Sequence, residues 1–122
     1  MADFRLNSGE VSVSLNNEEL VLKPTVRAAT SISRQFDGFA TARARLVSEN
    51  FDAVVFILRL GLNLDDKAAR DLPDRVYKNG ITAELLIPLI NYVAILGNGG
   101  RPLDLEDRNV DKNEAADQGN ER

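Results

Sequence analysis

Along "EVSVSLNNEELVLK", residues 10–23, apolar and polar positions alternate: Val11, Val13 and Leu15 interleave with Ser12 and Ser14, and Leu20 and Leu22 resume the rhythm after Asn16-Asn17. A period of two predicts strands with one apolar face, so the stretch reads as an antiparallel hairpin. Asparagine tolerates the positive φ values that a tight turn demands. A two-residue loop would pair Val13 with Leu20 and Val11 with Leu22, whereas a four-residue loop would pair Leu15 with Leu20 and Val13 with Leu22. Both registers keep the apolar residues on one face. A lone hairpin is marginal in water, so that face must lie on helices.

The period changes at Lys23-Pro24-Thr25. Proline has no N–H for a ladder and biases the preceding residue toward extended backbone, while the Thr25 hydroxyl can cap a helix start. A first helix is predicted from there, with Val26, Ala29, Ile32 or Ser33, and Phe36 inward and with Arg27 and Arg34 outside. Asp37-Gly38 breaks it. A second helix, roughly Phe39–Glu49, turns Phe39, Ala42 and Leu46 to one side, with Arg43 and Arg45 beside them. Asn50 caps a third, "FDAVVFILRLGL", which is apolar almost all round and should be the most buried. A short helix starts at Asn63 or Asp65 and ends near Asp71-Leu72-Pro73; Asp74 is expected to cap a single turn closed by Gly80. Thr82 begins the last helix, with Leu85, Leu86, Leu89, Val93 and Leu96 inward, Gly97 as its end, and Pro88 expected to kink it.

After Gly97 the text turns polar, acidic and free of aromatics. Such a stretch buries too little apolar surface to offset chain entropy. The predicted organisation is therefore a flexible N-terminus over 1–8, a single α+β domain over 9–97 (an antiparallel hairpin packed on about five helices) and an acidic disordered tail over 98–122. Charge agrees with that division: of the net −4, the tail holds seven carboxylates and four cations, −3, and leaves the body almost neutral.

Composition removes several chemistries. The chain has neither cysteine nor histidine, which excludes disulfides, thiolate metal sites, serine triads and histidine zinc sites. No cofactor is expected, and no enzyme. "GNGG" at 97–100 follows a helix where a phosphate loop would follow a strand, so it reads as a helix stop. Asp107, Asn109 and Asp111 match the first positions of a calcium loop, but Lys112 stands at its glycine and Gln118 at its glutamate. Asp65-Asp66 read as capping residues, since neighbours on a helix diverge. The absence of a basic excess argues against nucleic acid, and no apolar run approaches the roughly 18 residues of a membrane span.

Two features point toward protein partners. Leu103, Leu105 and Val110 punctuate the acidic tail, and segments of this kind can order on a partner, although composition alone favours a purely solubilising tail. Arg27 and Arg34 lead a cluster of arginines over the first two helices, which reads as a solvated face, as a contact for an acidic partner or as a seat for the chain's own tail.

"GEVSVSLNNEELVLKPTVRAATSI" resembles the opening of a small family found in tailed phages, prophages and gene transfer agents, and "GITAELLIPLINYVAILGNGG" is similar to its closing helix and glycine stop. The resemblance covers about residues 9–100. Lys23 stands where the family has arginine, and Asn16-Asn17 replaces a glycine-containing turn. The resemblance implies a non-catalytic tail assembly chaperone that binds the tape measure protein or a tail tube protein, and with it a cytoplasmic location in a bacterial host. Its alternative is a structural tail component that stays in the virion, and a homo-oligomer fits either. No family residue role is carried over.

Overall fold

The alternating stretch forms β1 (Val11–Leu15) and β2 (Glu18–Leu22) in the computed structural model, which describes residues 6–103. The loop is the two-residue one: Asn16 and Asn17 take φ 54° and 64°, and Val11 pairs with Leu22, Val13 with Leu20 and Leu15 with Glu18. Two successive positive φ values give the loop the twist of the strands it joins. Val13, Leu15 and Leu22 are completely buried, and Val11 and Leu20 pack at the margin.

Six helices follow: α1 (Val26–Phe36), α2 (Phe39–Val47), α3 (Phe51–Leu62), α4 (Asp66–Arg70), α5 (Leu72–Asn79) and α6 (Ala83–Gly97). The chain is thus an α+β fold with the hairpin against a helical layer. Four starts are capped as their sequences suggest, with side chains of Thr25, Asn50, Asp65 and Thr82 accepting from the N–H three residues on. Asp37 ends α1 in the left-handed region at φ 58°.

Two expectations fail for identifiable reasons. Val26 is 83% exposed, because α1 turns Ala28 and Ile32, one helical turn apart, onto the core and carries its first residue outward. Asp74 is not a cap: α5 begins at Leu72, with Pro73 in its first turn, where the missing N–H is no loss. The expected single turn is therefore the eight-residue α5, and the region from Asp65 to Asn79 holds two helices.

The core runs between β1–β2, α3 and α6, with Val54, Ile57, Leu58, Leu85, Leu89 and Val93 fully buried. Phe36 meets Phe56 edge to face at 5.7 Å and 83°, clamping α1 on α3. At the far end, Asn79 Oδ1 accepts from the Asn16 N–H at 2.9 Å and Arg75 donates to Asn16 Oδ1 and to Glu18, tying the hairpin turn to α5. Asn98 to Gly100 fold back after α6, the Gly100 N–H donating to the Ile95 carbonyl at 2.9 Å.

Candidate functional site

A two-residue loop makes its flanking pair, Leu15 and Glu18, hydrogen-bonded in both directions. The bonded pairs then recur at Val13–Leu20 and Val11–Leu22, so the peptide groups of Ser12 and Ser14 point away from β2 and those of Val21 and Lys23 point away from β1. The two outer edges differ. On the β2 side the Lys23 N–H donates to the Gly61 carbonyl of α3 at 2.9 Å, and the Lys23 carbonyl accepts from the Tyr92 hydroxyl of α6 at 2.7 Å. On the β1 side no backbone group meets the outward groups of Ser12 or Ser14 among the described residues. Only the first residue of that edge is occupied, by the turn in which the Glu10 N–H donates to the Asn7 carbonyl at 3.0 Å.

Beside the open edge lies a groove of about 610 Å³ whose apolar walls are Leu6, Val11, Ile95 and Leu103, with Asn91 and Ser12 between them. Helix α6 runs alongside in the opposite direction. Its Asn91 and Ile95 border the start of β1, while Thr82 and Glu84 border a polar concavity at the end of β1 that Ser14 and Asn16 share. Ile87, one turn before Asn91 on the same side of the helix, is 57% exposed, and Leu6 is 42% exposed. The edge therefore offers main-chain donors and acceptors next to an apolar ledge. Neither Pro nor Lys stands in β1 to block pairing.

Gly9, at φ 83°, approaches the Gly100 carbonyl so closely that a Cβ would not fit. This contact brings the two ends of the described chain together and places Pro102 and Leu103 on the groove. Of the residues predicted to bind partners, Leu103 is half-buried here. Arg27 is exposed at the start of α1 and donates to Asn63 Oδ1 at 2.9 Å, and Arg34 is exposed in the last turn of that helix. Neither lines this groove. Leu105 and Val110 lie outside the described residues. The sequence reading names Val11 only as part of the hairpin's apolar face and does not bring it together with Leu6 and Ile95, because nothing local marks the three as a set. Tyr92 was readable, standing seven residues after Leu85 and three after Leu89 on the inward stripe of α6.

Chemically the site is a binding surface. Among the described residues no group of three histidine, cysteine, aspartate or glutamate side chains could hold a metal ion, and no helix is long and apolar enough to cross a membrane. Burial pushes the Tyr92 hydroxyl above its ordinary range, and its proton is engaged by Lys23. No family model, curated protein or solved structure matches the chain.

Proposed function

We propose that the protein is a tail assembly chaperone of the phage or gene transfer agent type, holding an aggregation-prone tape measure or tail tube protein until it is assembled. The observation that carries this reading is the open β1 edge beside an apolar groove, a surface that can accept an extended partner segment. Ser12 and Ser14 would supply main-chain hydrogen bonds, and Val11, Ile95 and Leu103 would receive alternate side chains of the partner. Holding of this kind needs no catalytic group, in keeping with a chain that has neither cysteine nor histidine. The order of hairpin, Pro-Thr junction and closing helix supplies the tail context through the resemblance described above.

The test is co-expression of the chain with a long helical tape measure protein from the same source, alongside Ser12→Pro and Ile87→Asp variants. Ser12→Pro removes an outward N–H and leaves the main-chain β1–β2 bonds in place, giving up only the exposed bond from the Ser12 hydroxyl to Glu19, and Ile87→Asp charges the exposed ledge. The expected result is a client that stays soluble and co-purifies with the wild type, does so less with either variant, and leaves the chain behind in finished particles. Retention in the particle, or rings formed by the chain alone, would transfer the assignment to a structural tail component. A client equally soluble without the chain would end the chaperone reading.

A further inference from the structure

Leu103 stands between two grooves. The first follows β1 and carries Glu10; the second, about 570 Å³, crosses from α6 to α2 and is lined by Phe39, Ala40 and Arg43 on one side and by Ala94, Gly97 and Leu103 on the other. Charge separates them. From Val26 to Val47 the chain carries four arginines against one carboxylate, Asp37, and among the described residues Arg34, Arg43 and Arg45 form no ion pair. The segment that leaves at Leu103, residues 104–122, carries seven carboxylates against three cations.

We infer that the segment beginning at Asp104 docks on its own domain, across the α2 groove, with Leu105 on the Phe39–Ala40 floor and the carboxylates of Asp104, Glu106 and Asp107 gathered about Arg43. Reach is not limiting: Asp104 to Asp107 can extend about 14 Å from an anchor that already lines the groove. The sequence Leu103-Asp104-Leu105-Glu106 alternates, so an extended backbone turns Leu105 to the floor and its acidic neighbours to the flanks. Tethering holds the segment at an effective concentration on the order of millimolar, so individually weak contacts suffice. The β1 groove, carrying Glu10, repels the same carboxylates and stays open. This docking rests on charge and chain path and does not depend on the chaperone reading; where both hold, Leu105 and Val110 become available to a partner only after leaving α2.

Because the chain has no cysteine, one spin label can be placed at Asn113→Cys in the full-length protein and its effect on every backbone amide followed by NMR. The expected result is line broadening several-fold stronger at Phe39–Arg43 and Ala94–Gly97 than at Leu6–Ser12. It should vanish in 1 M salt, where the screening length falls to about 3 Å. Arg43→Glu should abolish it with the remaining spectrum native, and adding Glu106→Lys and Asp107→Lys to that variant should restore it. Broadening centred on Leu6–Ser12, uniform weak broadening, or broadening seen only between labelled and unlabelled molecules in a mixture would each overturn the inference. Should Arg43→Glu fail to fold, Glu106→Lys with Asp107→Lys in the otherwise wild-type chain should abolish the effect, and this, with the salt dependence, still decides it.

Discussion

The Tyr92 hydroxyl donates to the Lys23 carbonyl at 2.7 Å across 69 residues of sequence. With the Lys23 N–H on Gly61 at 2.9 Å, both main-chain polar groups of the residue where β2 gives way to Pro24 are bound, one by α3 and one by α6. Three elements are thus pinned at the point where the chain changes from strand to helix. The β2 side of the hairpin is thereby anchored, whereas the outward groups of Ser12 and Ser14 meet no backbone partner among the described residues.

Tyr92→Phe keeps the buried ring and leaves the Lys23 carbonyl without its donor. Stability should fall by about 0.5–1.5 kcal/mol, the net worth of a hydrogen bond whose acceptor is only partly buried. For a domain of this size each kcal/mol lowers Tm by roughly 4–8 °C. Urea unfolding followed by circular dichroism measures it, and an unchanged midpoint would show that the bond contributes nothing net.

The same residue sets an alkaline limit. An unfolded tyrosine ionises near about pH 10, whereas burial raises the folded Tyr92 above that. Between the two values the folded state holds a proton that the unfolded state has lost, so the contribution of Tyr92 is fully present below about pH 10 and stability should decline as pH rises past it, by up to about 1.4 kcal/mol per unit. Urea midpoints from pH 8 upward should show this decline in the wild type and a shallower one in Tyr92→Phe.

Gly61→Ala tests the close approach of α3 to the hairpin. An added Cβ would lie 2.7 Å from Leu22 Cδ2 and 3.3 Å from the Tyr92 ring, and both neighbours are fully buried with no room to withdraw. Overpacking costs about 1–3 kcal/mol, against about 1 kcal/mol gained in helix propensity. Net destabilisation of up to about 2 kcal/mol is expected, partly relieved by adding Leu22→Val. A rise in the urea midpoint would refute the contact.

Asn17→Gly should stabilise the protein. Asn17 holds φ 64° in an exposed turn, a conformation glycine adopts without a Cβ penalty. A gain of about 0.5 kcal/mol is expected for the Asn-Gly loop. Asn16, at φ 54°, should not tolerate glycine as well, since its side chain donates to the Arg75 carbonyl and accepts from the Arg75 guanidinium. Thermal melts of the two single variants should move in opposite directions.

What the sequence by itself determined is what depends on neighbours three or four positions away. Alternation over residues 11–22, the Pro24-Thr25 switch, the caps at Asn50 and Thr82 and the stop at Gly80 all express bonds that open and close within one turn of chain. Leu103 stood out by the same local logic, as an apolar residue in polar text. Tertiary structure decided the rest. Alternation alone left the hairpin register open, and the built hairpin takes the two-residue loop, its turn seated on Asn79 and Arg75 of α5. Packing of α1 on its neighbours chose Ala28 over Val26. Gly9 meets Gly100, two residues that no periodicity connects, where the chain brings Pro102 and Leu103 to the groove, and only the assembled fold shows that the β2 side is bonded while the β1 edge is not. An edge is defined by the partner it lacks, and that is a property of the whole fold and not of any stretch within it.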